Sequence, residues 1–406
     1  MYGDATNWNE DAYKESILKD QEIQTLTVFR TAWPPSSNPN PNTIVLASSD
    51  GSLTSYSISE IPLGFSDLRA PQVKPNAFLQ GHDGPAYDVK FYGNAEEDAL
   101  LLSCGDDGRI RGWRWEEFMQ SQVPGALQGN HIKPIVDLVN PQHKGPWGSL
   151  SPIPENNAIA VDTQGGSIFS AAGDSCAYWW DVETCKIKMC FKGHLDYLHC
   201  IVARNSANQI ITGSEDGSAR LWGKMQFYSD CRSGKCIRVI DSLKDEKFKV
   251  LSSSVSCIAL DASESWLACG SGRSLSVWNL SASECVSRMC TRASIQDVIF
   301  SDNQFDQALN IINGRQRTRT ATLFAYKLCR KLRLWIAKIL AVGAEPVMSR
   351  FDINGAVLSQ IPSAPQSAFS VSVHPSGVTA VGGYGGLVDI ISQFGSHYCT
   401  FRCQCI

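Results

Sequence analysis

Residues Ile210–Trp222 read IITGSEDGSARLW. Two β-branched apolar residues open the stretch, small residues follow, and Asp216-Gly217 supplies a tight turn. A polar/apolar alternation then climbs to a tryptophan. The pattern is strand, turn, strand. About one strand upstream lies Gly193-His194. An imidazole, a hydroxyl, a carboxylate and an indole N–H can satisfy one another inside an apolar layer, so His194, Thr212, Asp216 and Trp222 are predicted to form a buried polar set.

The same spacing recurs. Gly81-His82 precedes LLSCGDDGRIRGW, which places Ser103, Asp107 and Trp113 as the counterparts. Two sets in register resemble the WD40-repeat family, whose repeats of ~40–45 residues are four-stranded blades of a β-propeller. A chain of 406 residues then accommodates seven blades. The expected fold is all-β: a seven-bladed WD40 β-propeller with a short N-terminal helix.

Working outward, Asn9–Glu22 has acidic residues early and apolar ones near helical spacing, so residues 1–22 are expected as a helical extension and 23–406 as the ring. Blade one is predicted from Gln24–Ala32, Thr43–Ser48, Ser52–Ile58 and Asn76–Gln80. Blade two runs from Gly81-His82 through Trp113, with an outer strand near Ile132–Val139. Blade three is Ala158–Cys190; its Ser170, Asp174 and Trp180 keep the spacing, but no Gly-His precedes them. Blade four is His194–Asp241 and blade five Val255–Met289. Blade six is Ser294–Phe300 resuming at Ile339, and blade seven is Phe369–Cys403. Each blade receives four strands of its own; how blades one and seven close the ring is not encoded in the periodicity.

Two stretches break the rhythm. Gly223–Ser229 separates Trp222 from Asp230, and Phe305–Lys338 separates two strands normally joined by a few residues. The second carries eight Lys/Arg against Asp306, a net +7, leaving −11 for the rest of the chain. Deleting 223–229 and 305–338 restores ordinary repeats, as translated non-coding sequence would require. The alternative for Ala321–Ile339 is a basic amphipathic helix serving as an RNA- or partner-binding arm.

Composition excludes several classes. A net charge of −4 gives no overall basic field for nucleic acid. No apolar run approaches the ~18 residues of a membrane span, and the polar, acidic N-terminus is not a signal peptide. The fifteen cysteines scatter without zinc spacing and read as reduced, small apolar residues. GGYGG at Gly382–Gly386 lacks the Lys-Ser/Thr of a phosphate loop and falls where other blades turn. No G-x-S-x-G elbow is present. The chain is therefore expected to be a non-enzyme with no catalytic residues, metal, cofactor or small-molecule substrate.

Beyond the repeats, NWNEDAYKESILKDQEIQTLTVFRTAW, IFSAAGDSCAYWWDVE and SAFSVSVHPSGVTAVGGYGGLVDIISQFGSHYCTF resemble the THO complex subunit 6 family, especially its plant members. That resemblance implies a nuclear scaffold in the THO/TREX assembly, which couples transcription to mRNA processing and export, with the other THO/TREX subunits as partners. It assigns no direct RNA contact. A competing motif is the box by which WD proteins dock on the adaptor of cullin-4 ubiquitin ligases. Joining Trp222 to Asp230 gives IITGSEDGSARLW-DCR, which matches through Arg232, although Gly223 follows Trp222 in the chain. Trp222, Asp230 and Arg232 would then contact the adaptor, and the protein would be a ligase substrate receptor in abscisic acid or stress signalling.

Overall fold

Seven sheets, each built on four antiparallel strands, one of them carrying a fifth strand, arrange themselves in a ring in the computed structural model, which describes residues 9–36, 38, 40–61, 70–93, 98–121, 132–145, 147–162, 166–223, 234–241, 254–302 and 337–404. Blade one comprises Val28–Ala32, Thr43–Ser48, Ser52–Ser57 and Ala77–Gln80. Blade two comprises Ala86–Tyr92, Leu100–Gly105, Arg109–Arg114 and Val136–Val139. Blade three is Asn156–Asp162, Ser167–Ala172, Cys176–Asp181 and Lys186–Lys192. Blade four is Leu198–Arg204, Gln209–Ser214, Ser218–Gly223 and Lys235–Asp241. Blade five is Val255–Leu260, Trp266–Ser271, Ser274–Asn279 and Glu284–Cys290. Blade six is Ile295–Asp302, Ala337–Gly343, Glu345–Asp352 and Val357–Pro362. Blade seven is Ala368–Val373, Thr379–Gly383, Leu387–Ile391 and His397–Cys403. The first strand of each blade is innermost and lies against the first strands of its two neighbours, blade one meeting blade seven.

The second strands read as near-continuous apolar runs because both faces of a blade are covered. Period-2 side chains divide between the two neighbours. Ile44 and Leu46 pack toward blade seven, while Val45 and Ala47 pack toward blade two. Ile210 faces blade three and Ile211 blade five. Seven apolar clusters among the described residues thus fill the seven gaps between adjacent blades. Buried cysteines belong to this core: burial pushes the Cys269 and Cys399 thiols up to about 12, and no disulfide joins the described cysteines.

Turn chemistry follows the sequence. Gly51, Gly108 and Gly217 have φ of +82°, +68° and +79°. At Gly51 a Cβ would also meet His82 O at 2.4 Å, so no side chain fits there. The N-terminal helix spans Glu10–Thr25, three residues beyond the expected end, and Asn9 Oδ1 caps it by accepting from the Asp11 and Ala12 amides. A second short helix, Trp115–Met119, buries Trp115 and Phe118 against blades one and two.

Ring closure uses a device absent from the periodicity. Between the third and fourth strands of blade one the chain places Gln72–Val73 parallel to the outermost strand of blade seven, pairing Arg402 with Gln72 and Cys403 with Val73. The strands flanking the basic insertion pair directly, Asp302 with Ala337, so the second strand of blade six starts two residues before Ile339. The intervening segment and residues 224–233 lie outside the described residues.

Candidate functional site

In blade four the predicted polar set is one directional chain. Trp222 Nε1 donates to Thr212 Oγ1 at 2.8 Å. Thr212 Oγ1 lies 2.8 Å from His194 Nε2, and His194 Nδ1 lies 2.8 Å from Asp216 Oδ2. A neutral imidazole with its proton on Nδ1 satisfies every member: the hydroxyl donates to Nε2 and Nδ1–H donates to the carboxylate. Burial lowers the His194 pKa, against the pull of Asp216, consistent with the neutral ring. For Asp216 burial acts to raise the pKa, but the Ser218 hydroxyl, the Leu195 amide and His194 together hold it at about 2. The carboxylate also caps the chain entering the blade, accepting from Leu195 N at 3.0 Å.

Blade two repeats part of this. His82 bridges Ser103 Oγ (2.7 Å) and Asp107 Oδ1 (2.9 Å). Trp113 is buried, but its indole N–H has no partner among the described residues, so the expected four-member chain stops at three. Arg111 instead adds an ion pair to Asp107 at 2.9 Å. In blade three Trp180 donates to Ser170 at 2.9 Å. Its Asp174 receives His143 Nε2 at 2.6 Å and the Tyr178 hydroxyl. That histidine arrives from the connection before the blade rather than from a Gly-His, a substitution the repeat spacing could not reveal.

The inner strands carry a second polar set. Arg30, Asp88 and Asp297 each directly follow a bulge in the first strand of blades one, two and six. Arg30 Nη1 donates to Asp297 Oδ2 at 2.7 Å, and Arg30 Nε lies 3.0 Å from Asp88 Oδ1, an ion contact without hydrogen-bond alignment. Asp88 also accepts from Ile159 N of blade three, and Asp297 from Val371 N of blade seven. Burial opposes the Arg30 charge, but Asp297 and Asp88 outweigh it and raise its pKa. Three side chains therefore tie five inner strands across the axis. Phe29 lies beside this clamp, with its ring centroid 5.5 Å from Tyr87 and 5.7 Å from Phe369.

Residues 73–114, 185–223 and 245–279 match the WD domain, G-beta repeat family. Over 99% of its length the chain is 56% identical to THO complex subunit 6 of Arabidopsis thaliana, covering 99% of that protein. It belongs to the THO complex subunit 6 family. The likeness extends to THO complex subunit 6 of Homo sapiens, at 29% over 58% of this chain and 61% of that one. The Danio rerio homolog is 25% identical over 79% of this chain and 82% of its own.

Within this THO complex subunit 6 chain, two of the matched repeats are the blades with Gly-His polar sets. Of the three residues of the adaptor-docking box, Trp222 is 1% exposed and taken up inside its blade. Asp230 and Arg232 lie outside the described residues.

Proposed function

We propose that the chain is a non-enzymatic scaffold subunit of a nuclear THO/TREX assembly, joining other THO subunits and so contributing to mRNA processing and export. The observation that carries this reading is the 56% identity over 99% of both chains to THO complex subunit 6. The fold supports it: a ring closed by apolar gaps, an ionic clamp and a parallel latch presents loops from seven blades on a rigid frame. The buried His-Asp pairs are structural under this reading, since each ring is hydrogen-bonded on both nitrogens within its blade. Affinity purification of the tagged chain from nuclei tests it. The expected result is recovery of the remaining THO subunits in stoichiometric amounts; recovery of none of them would overturn the assignment. The ligase alternative rests on Asp230 and Arg232, which lie outside the described residues.

A further inference from the structure

The first strands of the blades share one direction. Each starts at the end of the ring that carries the Asp-Gly turns, as Leu198 beside Ser214 does, and finishes at the connection to the second strand, as Arg204 beside Gln209 does. At that second end a pocket of about 450 Å³ opens among the inner strands, within the ~300–1,000 Å³ of ordinary ligand pockets. Four blades wall it. Trp33 and Pro34 follow the first strand of blade one, Lys90 and Phe91 come from that of blade two, Ile299 from blade six and His374 from blade seven.

Three donors in this wall lack acceptors. Lys90 Nζ has neither an ion pair nor a hydrogen bond among the described residues. The Trp33 indole N–H is buried without a partner. The Ser376 amide donates to His374 Nδ1 at 3.1 Å, which puts the ring proton on Nε2, and that N–H has no acceptor among the described residues. Burial lowers the His374 pKa and so favours this neutral ring. The Trp33 and His374 rings meet edge-on with centroids 5.5 Å apart, so two of the donors share one side of the pocket.

No carboxylate answers them. None lines the pocket. Asp88 and Asp297, in the strands behind it, are taken up by Arg30 and by the amides of Val89, Ile159, Val298 and Val371. Asp98, Asp302 and Lys338, elsewhere on blades two and six, form no part of the wall. Of the lining hydroxyls, Thr31 and Ser372 are bonded to each other and Ser36 accepts from the Asn38 amide. What remains is aromatic and proline surface around one uncompensated positive charge.

We infer that this pocket receives an acidic side chain, carried next to an apolar one on an extended segment of a partner protein. Lys90 supplies the counter-charge, and the wall of Trp33 and His374 supplies N–H donors. The inference rests on the scaffold reading above and names where on the ring, and by what chemistry, another THO subunit binds. One ammonium matches one carboxylate, whereas a nucleic-acid backbone needs a track of cations that this pocket does not have, so the occupant is protein rather than RNA.

The test uses the full chain and its Lys90→Met and Lys90→Arg variants. Methionine keeps most of the apolar stem and removes the charge; arginine keeps the charge. Each protein is titrated against the co-expressed remaining THO subunits and, separately, against a 20-nucleotide single-stranded RNA. The expected result is at least a tenfold loss of subunit affinity for Lys90→Met at unchanged melting temperature, with Lys90→Arg close to the parent. Salt should weaken the parent more steeply than Lys90→Met. Equal subunit binding by all three proteins overturns the pocket while leaving the scaffold reading intact, and equal loss in both variants overturns the counter-charge. No subunit binding even by the unmodified chain overturns both readings. Loss of RNA binding in Lys90→Met without loss of subunit binding overturns the assignment of a protein partner.

Discussion

Arg30 and Asp297 are separated by 267 residues of chain and joined by a 2.7 Å hydrogen bond across the ring. The first strand of the fold thereby fastens to the sixth blade, and through Asp88 to the second. Nothing in local propensity requires this. It follows from placing a charged residue at the same post-bulge position of three inner strands, where only one another and neighbouring amides can satisfy them.

Arg30→Met should therefore cost more than its own packing. It leaves Asp88 and Asp297, with side chains 1% and 7% exposed, as unpaired carboxylates, and breaking a buried pair from one side costs about 3 kcal/mol or more. Adding Asp88→Asn and Asp297→Asn should recover part of the loss. Chemical denaturation of the single and triple variants measures it; an Arg30→Met protein as stable as the parent would show that the clamp contributes nothing.

The two tryptophans that the repeats place alike should respond differently to Phe. Trp222 donates to Thr212, whereas the Trp113 N–H has no partner among the described residues. Both substitutions lose packing, but only Trp222→Phe removes a hydrogen bond, worth about 1 kcal/mol net. Melting temperatures should rank Trp222→Phe below Trp113→Phe, and the reverse order would contradict the bonding described for blade four.

Acid should weaken blade four in two stages. Burial lowers the His194 pKa, so its contribution is complete above the unfolded histidine value near 6.5 and is lost as pH falls through the folded value. Asp216, held at about 2, keeps its contribution above the unfolded carboxylate value near 3.9 and loses it as pH falls toward 2. Melting curves between pH 7 and 3 should show falling stability beginning near pH 6.5. In Asp216→Asn the second stage should vanish, and a profile identical to that of the parent would refute the linkage.

Blades two and four were legible because their polar sets are local: His, Ser or Thr, Asp-Gly and Trp fall within one repeat, and each has a chemical reason for its spacing. Blade three was legible only in part. Its histidine, His143, lies 31 residues before Asp174 in a connection with no repeat pattern. The clamp left a fainter trace, single charges at Arg30, Asp88 and Asp297 within strands that are otherwise apolar; that trace locates a polar site but not its partners. Gln72–Val73 left none, because a two-residue parallel pairing depends on where the ring brings its edge. The pocket beside Lys90 was invisible for a related reason: its walls come from four blades, and only the assembled ring brings them together.

The last prediction concerns the interrupted hairpin of blade six. Asp302 and Ala337 are paired neighbours at the ends of their strands, and Ser301–Lys338 and Phe300–Ile339 continue the ladder. Residues 303–336 therefore enter and leave at adjacent points, where a two-residue turn would suffice. Replacing them with Asn-Gly shortens the loop by roughly four halvings, and each halving lowers the closure cost by about 0.6 kcal/mol, for a gain of about 2.4 kcal/mol before turn strain. The segment's excess of Lys and Arg would go with it, leaving a more acidic chain. The shortened protein should melt at or above the parent temperature and still purify with THO subunits. Unfolding of the shortened chain would show that the segment contributes to the core; a stable chain that no longer binds those subunits would make it an interaction arm instead.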